Sequence, residues 1–95
     1  MSIKTKHVDG DDKGKVMLFA LSTCMWCRKT KALLQDLNVE YDYADVDLLD
    51  SEEQDEAISL IKKFNSSGGF PTMVINDSNC IRGFDEDKIK EVFGK

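Results

Sequence analysis

Two cysteines with two residues between them, in Thr23-Cys24-Met25-Trp26-Cys27, are the side chains in this sequence best suited to chemistry. A thiolate is the nucleophile of disulfide exchange, and a second thiol one helical turn away can close a disulfide onto it. The same thiolates would also suit zinc or an iron–sulfur cluster. Such a site takes four ligands, and one Cys-x-x-Cys supplies two, so a dimer or outside thiols would have to complete it.

The elements on either side decide what the pair can do. Val16-Met17-Leu18-Phe19-Ala20-Leu21 is a continuous apolar run that reads as a fully buried strand. Residues 28–37 carry good helix formers, with Cys27, Thr30, Leu34 and Leu37 at helical spacing. The pair therefore stands where a strand ends and a helix begins. Unpaired N–H groups and the positive end of the helix dipole at that point favour a thiolate at Cys24. Arg28, Lys29 and Lys31 add positive charge nearby. In a βαβ pattern this placement reads as a dithiol redox centre.

Beyond the first helix, Asn38 ends it and Val39-Glu40-Tyr41-Asp42-Tyr43 alternates as a half-buried strand, parallel to the first by a right-handed crossover. Ser51-Glu52-Glu53-Gln54 reads as a capping box opening a helix with Ala57, Ile58, Leu60, Ile61 and Phe64 on its inner side. Asn65-Ser66-Ser67-Gly68-Gly69 breaks that helix, and Phe70-Pro71, with the only proline, precedes the strand Thr72-Met73-Val74-Ile75. Asn76-Asp77-Ser78-Asn79 supplies turn chemistry before a short returning strand, Cys80-Ile81-Arg82. Asp85 is placed to cap a last helix with Ile89, Val92 and Phe93 inward and Gly94 past its end. The order predicts an α/β domain, a four-stranded mixed sheet with about three helices on its faces.

Residues 1–14 are polar, without apolar periodicity, and read as a mobile or loosely packed leader; residues 15–95 form the single domain that 95 residues allow. His7, inside the leader, reads as solvated. A net charge of −5 gives no nucleic-acid footprint. Nine acids and no Lys or Arg stand between Glu40 and Glu56, either a solvated acidic face or a surface that steers a basic partner. Three cysteines are too few for a disulfide scaffold, and neither a signal peptide nor a membrane-spanning apolar segment is present, so a reducing cytoplasmic location is expected. Cys80 reads as a core thiol or a regulatory one.

With Cys24-Met25-Trp26-Cys27, Phe70-Pro71-Thr72 and Gly83-Phe84-Asp85-Glu86 in place, the chain resembles a glutaredoxin over residues 15–93. It is also similar to the small glutaredoxin-like hydrogen donors that thioredoxin reductase reduces. The resemblance implies a thioredoxin fold in which Cys24 attacks and Cys27 resolves, without a tightly bound cofactor. It implies disulfide-containing proteins as partners, glutathione (as co-substrate) or a thioredoxin reductase as electron donor, and a monomer. Pro71 matches the family's cis-proline, where a trans edge proline is the alternative. Phe70 matches the residue that lends backbone groups to an extended substrate. Trp26 would meet the substrate or shield the helix start. Gly83, Phe84 and Asp85 match the turn that holds the γ-glutamyl end of glutathione, although an Asp helix cap uses the same residues. The family pattern is departed from at Leu21, where a basic residue is common, at Met25, where proline is common, and at Arg82, where a second glycine is common.

Overall fold

A computed structural model describes residues 3–94. Five strands, β1 (Lys6–Val8), β2 (Val16–Ala20), β3 (Tyr41–Asp45), β4 (Thr72–Ile75) and β5 (Asn79–Arg82), form one sheet in the order β1-β3-β2-β4-β5. Helices α1 (Met25–Asp36), α2 (Ser51–Phe64) and α3 (Glu86–Phe93) and a short 3-10 turn, Val46–Leu48, complete the described elements. β2 runs parallel to β3, as the crossover through α1 requires, and antiparallel to β4.

Every residue of β2 is buried, because the strand is central and both faces are covered. Its pleat divides the core. Val16, Leu18 and Ala20 share a cluster with Leu34 of α1 and Ile89 and Phe93 of α3. Met17 and Phe19 point the other way and pack with Ala57 and Ile61 of α2. The acids Asp42 and Asp45 take the half-buried positions of β3, beside buried Tyr41 and Ala44.

The sheet has five strands where four were expected, and the fifth comes from the segment read as a leader. Lys6–Val8 pairs antiparallel with Tyr41–Tyr43 of β3, and Ile3 is buried in the α2-side core. Backbone contacts complete this attachment. Asp11 N–H donates to Asn38 O at 2.7 Å, and Glu40 N–H donates to Asp11 O at 3.0 Å. A Cβ on Gly10 would stand 2.7 Å from the Glu40 nitrogen, so the glycine permits the approach. Three residues with one half-buried position carry too little apolar signal to be recognised as a strand alone. Met1, Ser2 and Lys95 lie outside the described residues.

Helix ends follow local chemistry, with one correction. Asn38 adopts φ 55° after α1, and Val39 N–H reaches back to Leu34 O at 2.9 Å, closing a Schellman-type end. The cap of α2 is Asp50, one residue before the predicted Ser51: its carboxylate accepts Glu53 N–H at 2.8 Å. Gln54 instead donates to Leu49 O at 3.0 Å, and Glu53 accepts Lys4 N–H at 2.7 Å. Within α2, Ile58 faces outward while Ala57 and Ile61 are buried. Val92 of α3 is also exposed. Asp85 and Gly94 cap α3 as expected. The β4–β5 turn has Asn76 and Asp77 both at positive φ, which suits a tight hairpin and these residue types.

Candidate active site

The first cysteine is itself the N-cap of α1. Cys24 is extended, its Sγ accepts the Cys27 N–H at 3.2 Å, and its carbonyl accepts the Arg28 N–H at 3.1 Å. Helix α1 thus begins at Met25, two residues before the helical spacing starts at Cys27, because the sulfur does the capping. A half-buried Cys24 and a fully buried Cys27 make the two thiols unequal. Burial pushes the Cys27 thiol up to about 12, and the hydrogen bond with Cys24 adds to the rise. A backbone N–H from Leu21, 3.5 Å from Cys27 Sγ, opposes it.

Around the pair, the three stretches singled out in the sequence come together. Phe70-Pro71 is a cis peptide. Pro71 is buried, and its carbonyl accepts the Gly83 N–H at 2.7 Å, so the proline loop and the glycine turn are hydrogen-bonded. Gly83 has φ 71°, and a Cβ there would meet nothing within 4 Å, so its role is conformational. Phe70, Phe84 and Cys24 all pack, partly buried, on the α1–α3 side of the core. Trp26, 53% exposed, stacks on Phe84 with ring centroids 5.8 Å apart and an interplanar angle of 25°. Lys29 Nζ lies 4.7 Å from the Trp26 ring centroid. Met25 is 66% exposed beside it, so the helix start presents an apolar and aromatic surface.

Other predicted groups point elsewhere. Lys31 turns to β3, pairing with Asp45 at 2.9 Å and lying over the Tyr43 ring. Arg82 reaches Phe64 O at 3.3 Å. Asp85 is already engaged, accepting the Lys88 N–H at 3.1 Å. Cys80 sits half-buried on the outer strand β5, its thiol pushed up by burial. Among the described residues no three His, Cys, Asp or Glu side chains are grouped to hold a metal ion.

Two further polar residues, neither of them predicted as a site residue, tie segments around the site together. Buried Asn65, at the end of α2, donates from Nδ2 to Thr72 Oγ1 at 3.1 Å, and that hydroxyl donates to Gly69 O at 2.6 Å. The proline loop is thereby tied to the helix before it. Asp47, within the run read as a solvated acidic face, accepts both the N–H and the hydroxyl of Ser22. Neither residue belongs to a local pattern, because each partner is distant in sequence or set by the fold.

The family model for glutaredoxin matches residues 16–79, the greater part of the chain. The chain belongs to the glutaredoxin family. A glutaredoxin-like 8.6 kDa protein encoded in the rubredoxin operon of Clostridium pasteurianum is 35% identical over 81 residues, 84% of this chain and 99% of that protein. Among solved structures, methanoredoxin from Methanosarcina acetivorans is 49% identical with a TM-score of 0.88, covering 90% of each chain. A glutaredoxin from Methanosarcina mazei is also 49% identical, with a TM-score of 0.89 over 96% of this chain and 88% of that one. The glutaredoxin fold, a mixed sheet with three helices and a Cys-x-x-Cys pair at a helix start, is the thioredoxin-like fold expected of a thiol oxidoreductase. No helix of the described residues is long and apolar enough to cross a membrane.

Proposed function

We propose that this glutaredoxin reduces protein disulfides or glutathione mixed disulfides, with Cys24 as nucleophile and Cys27 as resolving thiol. The observation that carries the assignment is the inequality of the pair: Cys24 is accessible at the helix cap, while Cys27 is fully buried with its thiol pushed up to about 12. The Cys24 thiolate attacks one sulfur of the substrate disulfide, forming a mixed disulfide and expelling the other sulfur as a thiolate. Cys27 then gives up its proton, to the departing thiolate or to water, and its sulfur attacks Cys24 Sγ. The second substrate thiolate leaves, protonates, and the Cys24–Cys27 disulfide closes. Two electrons pass from the protein to the substrate, and an external reductant restores the dithiol.

Trp26 and Phe84 form an aromatic wall beside Cys24, suited to the apolar part of a substrate, and Phe70 precedes the cis-proline in position to offer backbone groups. Gly83, Phe84 and Asp85 form the turn for a glutathione carboxylate and amine; the exposure of Asp85 supports this, while its hydrogen bond to Lys88 N–H serves the helix cap. In this reading the protein acts as a cytoplasmic monomer with no tightly bound cofactor, on disulfide-containing proteins, with glutathione or a thioredoxin reductase as donor.

Paired NADPH-coupled turnover assays test it, one regenerated through glutathione and its reductase, the other through thioredoxin reductase. Cys24→Ser abolishes turnover in both, and Cys27→Ser abolishes dithiol reduction while retaining exchange with glutathione mixed disulfides. A Cys24→Ser protein that still reduces disulfides would overturn the role assignment. Turnover with glutathione alone makes the Gly83 turn a binding turn; turnover with thioredoxin reductase alone makes it a helix cap.

A further inference from the structure

The β2–α1 connection touches both cysteines through one residue, the first at its backbone and the second at its sulfur. Leu21 O accepts the Cys24 N–H at 3.2 Å, and Leu21 N–H points at Cys27 Sγ from 3.5 Å. The next residue, Ser22, makes no such contact with the cysteines. Its N–H and its hydroxyl instead both go to the Asp47 carboxylate, at 2.8 Å and 2.5 Å to separate oxygens. Asp47 lies in the short 3-10 turn Val46–Leu48, which follows β3, and Gln54 Nε2 of α2 is 3.4 Å from its carbonyl. One carboxylate therefore ties the cysteine turn to the connection on the neighbouring strand. The two Ser22 bonds hold the Asp47 carboxyl below the usual carboxylate range, so the clamp stays charged through the neutral range.

We propose that Asp47 is a positioning residue for the dithiol: by fixing Ser22 it holds Leu21 N–H against Cys27 Sγ, and so sets the rate of the resolving step. The inference rests on the dithiol reading above. Cys27 is the group that has to ionise from a buried position, and the Leu21 N–H is the backbone donor that favours its thiolate. Cys24 has a different donor, the Cys27 N–H within the helix start, which does not pass through Ser22. Loosening the turn should thus slow resolution and leave attack nearly unchanged.

The two steps separate in a stopped-flow reaction of reduced protein with 5,5′-dithiobis(2-nitrobenzoate), in a Cys80→Ser background that removes the third thiol. Attack by Cys24 transfers one nitrothiobenzoate to the protein and releases one as a coloured thiolate. Resolution by Cys27 closes the disulfide and releases the second. With Asp47→Ala the second release slows by about three- to tenfold, the scale expected for part of one charge-assisted hydrogen bond, and the first release keeps its rate. Ser22→Ala, which keeps the N–H bond, slows it less. Asp47→Asn retains wild-type phases, since the amide oxygen still accepts the N–H and the amide nitrogen donates to the hydroxyl.

Unchanged second release in Asp47→Ala overturns the inference, as does equal slowing of both phases. Equal slowing in Asp47→Asn and Asp47→Ala overturns it as well, because charge and not placement would then be the cause. A background protein that releases only one equivalent overturns the dithiol reading itself, so the two failures are told apart. Asp47 is exposed, and unaltered circular dichroism of each variant shows that the fold is retained.

Discussion

At the cysteine end of the molecule the important groups meet through backbone hydrogen bonds and packed rings; along the β1 edge they meet through charges open to water. Cys24 caps α1 with its own sulfur, Pro71 and Gly83 share a backbone hydrogen bond, and Phe84 lies between Trp26 and the core. On β1, His7 Nδ1 sits 2.6 Å from Asp42 of β3, while its Nε2 is 3.3 Å from Asp9 and 3.6 Å from Glu40. Contacts of the first kind depend on geometry, hold across the neutral pH range and fail when packing or backbone angles change. Those of the second kind are weak individually, screened by salt, and respond to pH. The site stands where packing and backbone bonds set its shape, and the edge adds adjustable charge contacts to its strand ladder and to the buried Ile3.

The largest effect expected from breaking this contrast comes from the core beneath the cysteines. Leu34 is fully buried on the inner side of α1, so Leu34→Ala should cost about 2–5 kcal/mol of unfolding free energy through lost burial and the cavity left behind. Urea denaturation of the reduced protein measures it, and a loss near zero would mean that α1 is not anchored by this packing. A smaller effect is expected at the glycine turn. Gly83→Ala meets no atom but must hold φ near 71°, so it should cost about 1–2 kcal/mol. That loss should be the same at pH 6 and pH 8, as befits a backbone constraint.

The smallest effect belongs to the edge, and it carries the opposite signature. The hydrogen bond to Asp42 raises His7 above its ordinary value of 6.5, with the charges of Asp42, Glu40 and Asp9 adding to the rise. A raised histidine stabilises the fold fully below its unfolded value, and that contribution is lost as pH rises through the folded value. Amide exchange in β1, corrected for the intrinsic pH dependence of exchange, should therefore show more protection at pH 6 than at pH 8. His7→Gln should flatten that difference and leave the Cys24 reaction with disulfides unchanged. A pH effect equally large in β4 would show that the edge and the site are coupled after all.

What could be read from the chain follows how far apart the interacting residues lie. The buried strand, the cysteine helix, the hairpin turn and the Asp85 cap are local patterns, and each is present, with the helix starting earlier, at Met25, because Cys24 caps it. The cap of α2 was missed by one position because Asp50 and Ser51 are both good caps, and only the path of the chain from β3 chooses between them. Lys6–Val8 was missed because a three-residue edge strand takes its identity from its partner. At the site, the residue types and family resemblance pointed to the cysteines, the proline and the glycine turn, all of which the fold gathers. Asp47 and Asn65 were invisible for the converse reason: a carboxylate or an amide in a polar stretch is ordinary until something across the fold accepts its bonds.

By itself, then, the sequence determined that a strand delivers two thiols to the start of a helix, because hydrophobic runs, helix formers and a two-residue spacing act within a few residues of one another. Tertiary structure alone decided that Trp26 stacks on Phe84, and that Asp47 holds the cysteine turn through Ser22. These depend on contacts between distant segments, and such contacts come into being only when the sheet closes and its two faces are covered.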